Sequence, residues 1–397
     1  MTTLATAPSV FLPAPDGRTA QYALGSPEVW PRPDRPLSAR VAYAAAHVVP
    51  RVLAENVPGA PADIDWEATL AYRHRIWSYG LGVAEAMDTA QRGMGLGWRE
   101  AAELIRRSAA EARSVGGAIA CGAGTDQLDL AGLTPGTAGL RAVVAAYREQ
   151  MEVVADSGAT VILMASRGLA AVARSADDYA EVYGALLDAA DRPVILHWLG
   201  PMFDPALAGY WGSDDVDVAT ATFLDVLRAR PDKVEGVKVS LLDAQHEVRL
   251  RRSLPPGVRM YTGDDFNYPE LVVGDGEDHS HALLGIFAAI YPAASAAIQA
   301  LDRGDRDAAR SILKSTQDLG RLIFEAPTYY YKTGIAFLSW LNGYQPGFAM
   351  AGGLHAGRSV PHLCEVFRLA DRAGLLADPD LAAARMRSFL AVQGVAQ

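Results

Sequence analysis

The residue best suited to covalent chemistry in this chain is a lysine. Lys238 sits in Val234-Glu235-Gly236-Val237-Lys238-Val239-Ser240, whose apolar residues alternate tightly after the turn-forming pair Pro231-Asp232. The segment predicts a short strand buried on both faces. A lysine near the end of such a strand must either find a partner or give up its proton. A desolvated amine that is neutral at physiological pH is the usual nucleophile of Schiff-base chemistry. The plainer reading is a strand-end lysine whose ammonium snorkels to solvent. The elements around it decide between the two.

Apolar runs at residues 80–86, 117–122, 160–165, 193–198, 234–240, 258–262 and 282–287 read as strands, and 39–49 is a candidate buried strand whose alanine run could equally be helical. Helical patterns at 65–77, 98–113, 137–157, 176–190 and 219–229 alternate with them, Asp65 serving as an N-cap for the first. The alternation implies a parallel sheet with right-handed crossovers, and eight units fit a closed (β/α)8 TIM barrel. Residues 1–36 are rich in proline and glycine around the alternating stretch 19–24 and read as an N-terminal arm carrying a hairpin. The barrel then spans residues 37–292. A C-terminal helical region spans 293–397, broken at Asp302-Arg303-Gly304-Asp305 and at Asn342-Gly343-Tyr344-Gln345-Pro346-Gly347.

Barrels of this kind carry their chemistry at the carboxyl ends of the strands. That rule gathers His47, Glu85, Asp88, Thr89, Arg167, His197, Lys238, Asp264 and His281, among which Lys238 is the lone lysine. His197, one strand before Lys238, is the natural proton carrier for attack of the amine on a carbonyl. Two other chemistries compete. Asp278-His279-Ser280-His281 places His279 and His281 on one face of a strand, and with Glu85, Asp88 or His197 they suit a metal-dependent isomerase, aldolase or hydrolase. A carbohydrate-binding barrel without catalysis is the third reading, and the retained Lys238 weighs against it.

Half of the 397 residues are hydrophobic and the formal charge is -10, with no Lys/Arg-rich run, so a nucleic-acid partner is excluded. Two cysteines, Cys121 and Cys364, make no disulfide framework, and a reducing cytoplasm is the expected location. The start, Met1-Thr2-Thr3-Leu4-Ala5-Thr6-Ala7, lacks the character of a signal peptide, and no apolar run is long enough for a membrane span. His246-Glu247 and the arginines through Arg252 read as a solvated basic helix face, and Tyr329-Tyr330-Tyr331-Lys332 as packing or an interface, with the barrel mouth as the alternative.

The order of segments resembles a known family. Gly236-Val237-Lys238, then Tyr261-Thr262-Gly263-Asp264-Asp265, then Gly285-Ile286 before Tyr291-Pro292, then the helix at Asp302-Arg303-Gly304-Asp305 look like the dihydrodipicolinate synthase and N-acetylneuraminate lyase superfamily of class I aldolases. More narrowly, the chain resembles the bacterial branch named DUF993. The resemblance implies that Lys238 is the Schiff-base lysine and that no organic cofactor or metal is needed, since the lysine supplies the electrophilic activation. It also implies a homodimer or homotetramer.

His197 falls where these enzymes usually place a tyrosine, and the expected Gly-Thr-Thr-Gly-Glu loop is replaced by Met87-Asp88-Thr89-Ala90-Gln91. A second tyrosine gives way to Ser166-Arg167-Gly168. Asp88 would repel a keto-acid carboxylate, which favours a polyol or sugar-derived carbonyl, while Arg167 keeps an anionic substrate open. The resulting expectation is a lyase for a small carbonyl substrate. Lys238 forms the imine, His197 relays protons, and Asp88, Thr89, Arg167 and Tyr261 bind substrate.

Overall fold

The computed structural model describes residues 7–13 and 18–397; the opening stretch read as lacking a signal falls, except for Ala7, outside them. A hairpin comes first, β1 (Ser9–Pro13) pairing antiparallel with β2 (Thr19–Ala23). It is tied to the far end of the chain: Tyr22 donates to Asp371 Oδ2 at 2.7 Å, and Arg387 Nη1 donates to the Ser9 carbonyl at 2.8 Å.

Eight parallel strands then close into a barrel in simple chain order, the last pairing with the first. They are β3 (Ala42–Ala45), β4 (Gly82–Glu85), β5 (Ile119–Ala123), β6 (Thr160–Leu163), β7 (Val194–Leu199), β8 (Val234–Ser240), β9 (Arg259–Thr262) and β10 (His281–Leu284). Their near-continuous apolar character follows from burial on both faces. Tyr43, Ala84, Ala120, Ile162, Ile195, Tyr261 and Leu283 point inward and fill the barrel, while Val83, Cys121, Val161, Leu196, Val237 and Val239 point outward under the helices. The lysine strand occupies the residues that its sequence pattern predicts, and Asp65 caps the helix Trp66–Ser78 through Ala68 N–H.

The stretch before the last strand, which carries no strong helical pattern, holds the six-residue helix Tyr268–Val273. The last strand runs His281–Leu284, starting one residue before the apolar run and ending where Gly285-Ile286 turns toward the helix Phe287–Asp302. The basic helix Ala244–Ser253 is less solvated than its charges imply. His246 and Glu247 are buried, and Glu247 accepts from Thr262 at 2.9 Å and Ser280 at 2.7 Å. Those neutral donors let a buried carboxyl survive there, with burial pushing it up to about 8.

Candidate active site at the carboxyl ends of the strands

The inward face of β8 carries Gly236, Lys238 and Ser240, by the two-residue period of a strand. Lys238 pairs in register with His197 on β7 and with Tyr261 on β9. Its side chain runs up the barrel past Gly263, where a Cβ would lie 3.0 Å from Lys238 Cε and 2.7 Å from the Val239 carbonyl. Lys238 is only 5 % exposed, and no carboxylate of the described residues contacts its ammonium. Burial lowers its pKa below the ordinary lysine value, against the pull of Asp88 and Asp265. Asp265 is itself pushed well up by burial, although it accepts the Ile286 N–H at 2.7 Å.

His197 is buried beside the lysine. Its Nε2 lies 3.2 Å from Ser240 Oγ, and its Nδ1 has no partner among the described residues. Burial, reinforced by Lys238, holds the ring well below its usual pKa, so the imidazole is neutral and can both take and give a proton.

At the exit of β4 the chain turns through a left-handed alanine, Ala86, with φ 51°. Such a residue costs about 1–2 kcal/mol. The turn is held from both sides: Glu85 Oε1 accepts the Ala86 N–H at 2.9 Å, and the Ala86 carbonyl accepts from Arg92 Nη1 at 3.2 Å. It delivers Asp88 to the mouth at the start of a short 3-10 turn, Asp88–Ala90. Burial works against the Asp88 carboxylate. Lys238, Lys332, His197 and a hydrogen bond from Tyr331 outweigh it, and the carboxyl stays below its usual range.

Those contacts bring in residues from the C-terminal region. The helix Tyr331–Leu341 places the Tyr331 hydroxyl 2.7 Å from Asp88 Oδ2 and 2.5 Å from Thr89 Oγ1, with its ring stacked on Phe324 at 4.3 Å. Lys332 is equally buried. Tyr331 and Lys332 therefore belong to the barrel mouth, not to general packing. A sequence signal for Lys332 does exist. Of the 36 lysines and arginines only four are lysine, Lys233, Lys238, Lys314 and Lys332, so lysine is the exception in this chain. Lys233 and Lys314 make contacts an arginine would also serve, to the Ala190 carbonyl and to Glu270. The other two are buried at the mouth, where only an amine can titrate.

A cavity of about 310 Å³ opens beside these groups, lined by Asp88, Arg92, Arg167, His197 and Asp204 among others. Arg167 reaches it from the start of the helix Arg167–Val172, with Nε 2.5 Å from Asp204 Oδ2. Arg92, which sequence patterns do not single out, is 7 % exposed, bonds Asp126 and donates to Gln150 Oε1 at 2.7 Å.

Other expected participants lie elsewhere. Tyr261 points down the barrel: its ring occupies the space left by Gly236, and its hydroxyl donates to Glu235 Oε1 at 2.8 Å. That places it below Lys238 and out of substrate contact. Glu85 is locked outside the barrel wall in a fully buried bidentate pair with Arg73, at 2.7 and 2.8 Å. His47 lies behind the same wall, with Nε2 2.8 Å from Gln345 Oε1.

The histidine pair does not form a rim metal site. His281 opens β10 at the amino end of the barrel, where its Nδ1 accepts the Val41 N–H at 3.0 Å. Burial, His279, Arg259 and Arg40 lower it to about 4, a cationic setting that opposes a metal ion. Among the described residues, no group of three His, Cys, Asp or Glu side chains is arranged to hold a metal, and no helix is long and apolar enough to cross a membrane.

Comparisons with known proteins agree with this architecture. The sequence model of a family described as "Protein of unknown function (DUF993)" matches residues 10–395. No curated protein matches the chain. Among solved structures, dihydrodipicolinate synthase from Aquifex aeolicus aligns with TM-score 0.62 at 12% identity, covering 85% of this chain and 98% of that one. The 4-hydroxy-tetrahydrodipicolinate synthase of Methylacidiphilum fumariolicum SolV aligns with TM-score 0.61 at 15% identity, over 84% and 95%. The dihydrodipicolinate synthase of Bacillus clausii gives 0.60 at 15%, over 84% and 97%. At these identities the likeness is one of fold.

Proposed function

We propose that this chain, which belongs to the DUF993 family, is a Schiff-base-forming lyase of the class I aldolase type acting on a small carbonyl substrate. The observation that carries the reading is Lys238 itself: an inward, buried amine with a lowered pKa and no carboxylate in contact, next to a neutral histidine. Keeping such a group in a barrel interior costs folding free energy, and groups perturbed in this way cluster at functional sites.

The neutral Lys238 nitrogen attacks the carbonyl carbon, and the π electrons move to oxygen. His197 carries a proton from the new ammonium to that oxygen, giving a carbinolamine. One further proton from solvent lets the hydroxyl leave as water, and the nitrogen lone pair forms the C=N bond of a protonated imine. The iminium withdraws electrons from the adjacent carbon, so a bond one carbon away can be broken or made. Asp88, ionised and held by Tyr331, is the counter-charge for the iminium. The unpartnered Nδ1 of His197 is free to meet a substrate hydroxyl. The fold likeness to dihydrodipicolinate synthases supports the reaction class.

Borohydride reduction in the presence of keto acids and keto sugars, followed by intact mass and peptide mapping, tests the reading. The expected result is a single adduct on Lys238, formed at neutral pH because the amine titrates below the ordinary lysine range. In Lys238→Ala the adduct disappears, and turnover falls by more than about 10³-fold, as for loss of other covalent nucleophiles. Adduct that persists undiminished in Lys238→Ala removes Lys238 from the mechanism.

A further inference from the structure

The mouth has a second buried amine to which the imine chemistry gives no task. Lys332 Nζ lies 3.4 Å from the Tyr329 carbonyl, 3.5 Å from Met94 Sδ and 4.9 Å above the Tyr331 ring, and no carboxylate of the described residues is in contact with it. Asp88 and Asp204 nonetheless act on it from nearby. The other cations at the cavity are already matched: Arg92 is bound to Asp126, and Arg167 to Asp204. Asp88 faces both Lys238 and Lys332, whose pull, with the Tyr331 hydrogen bond, holds its carboxyl below the usual range.

We propose that Asp88, Tyr331 and Lys332 form a hydroxyl-reading subsite, so that the substrate is a neutral polyhydroxylated ketone or aldehyde and not a keto acid. The inference rests on the Schiff-base reading for the carbonyl and extends it to the rest of the substrate. The Lys332 amine, lowered from the ordinary lysine value chiefly by burial, donates in either protonation state, and beside a carboxylate with spare lone pairs it meets the donor and acceptor needs of neighbouring hydroxyls. A keto-acid carboxylate would approach Asp88, Asp126 and Asp204, and both guanidiniums that could receive it are occupied. Lys332 is then a specificity-determining residue, supplied from outside the eight strands.

The test compares three carbonyl probes on the full chain under borohydride: erythrulose (neutral, hydroxylated), pyruvate (anionic) and butanone (neither). Erythrulose should label Lys238 faster than butanone by about 10- to 100-fold, the equivalent of one or two hydrogen bonds to charged groups, and pyruvate more slowly than butanone. In Lys332→Met, checked for a retained fold by circular dichroism, the ratio of the erythrulose rate to the butanone rate should fall toward one. Faster labelling by pyruvate than by erythrulose, or unaltered selectivity in Lys332→Met, overturns the proposal.

A second measurement reads the subsite without chemistry: protection against thermal unfolding by erythritol, which has no carbonyl. Greater protection of the parent than of Lys332→Met supports the subsite, and equal protection, the general osmolyte effect, overturns it. If none of the three probes leaves an adduct on the parent, the Schiff-base reading falls and the erythritol comparison alone decides the subsite.

Discussion

The two ends of the barrel are built from the same kinds of side chain and treat them oppositely. At the amino end Glu235 takes the Tyr261 hydroxyl and the Arg259 guanidinium on one oxygen, and His281 accepts a backbone N–H in a setting that keeps it neutral. Charge there is matched by contact, though Glu235 Oε2 has no partner among the described residues. At the carboxyl end Lys238 and Lys332 touch no carboxylate of the described residues, and His197 Nδ1 has no partner among them. The amino end is the more open of the two, with Arg259 exposed and Glu235 and His281 only partly buried. What separates them is whether each charged group meets an opposite charge in direct contact.

Three pairs of substitutions press on that contrast. The largest effect belongs to the lysine. Lys238→Met should abolish trapping and yet stabilise the fold. The folded pKa of Lys238 lies below its unfolded value, so stability from this group is present above pH 10.5 and lost as pH falls toward the folded pKa. Each unit of difference is worth about 1.4 kcal/mol. Urea melts across pH should therefore show Lys238→Met ahead of the parent at neutral pH, with the gap closing toward pH 10.5. The companion at the other end, Glu235→Gln, breaks a contact pair and should be destabilising, with trapping intact.

Next come two glycines on the inward face. In Gly263→Ala the new Cβ would press on Ser240 Oγ and come within 3.0 Å of Lys238 Cε; in Gly236→Ala it would meet the Tyr261 ring at 2.7 Å. Both are overpacking changes costing about 1–3 kcal/mol. Only Gly263→Ala should slow borohydride trapping, because only it displaces the amine. If Gly236→Ala slows it as much, the separation of the two ends is wrong.

The smallest difference is between two tyrosines. Tyr331→Phe and Tyr261→Phe each remove a hydrogen bond to a carboxylate, worth about 1.5–3 kcal/mol, and Tyr331→Phe also removes the contact with Thr89. Both melting temperatures should fall, that of Tyr331→Phe at least as far. Trapping should slow in Tyr331→Phe, where Asp88 is released, and stay at the parental rate in Tyr261→Phe.

The sequence announces the barrel more readily than the site. Strands with both faces buried leave apolar runs that need no partner to be recognised, which is why all eight are visible and Lys238 stands out against its own strand. The two-residue period also tells that Tyr261 faces inward, but not whether a long side chain leans up or down; the gap left by Gly236 decides that, and it lies on another strand. His281 stands at the start of the last strand whether that strand begins at 281 or 282, so grouping it with the strand exits mistakes the strand's entry for its exit. Tyr331 and Lys332 follow Lys238 by some ninety positions and sit on an apolar helix whose pattern looks like ordinary packing. Arg92 and Asp204 are loop residues whose roles come from partners on neighbouring strand exits.

The helix Tyr331–Leu341 brings one end of a single segment to the mouth of a ring of strands it does not belong to. On the proposed reading the amine is anchored in the scaffold, whereas part of the surface that judges the incoming molecule is mounted on an appendage. Natural drift or a designer could therefore retune selectivity by editing that appendage, leaving the strand register and its nucleophile as they are.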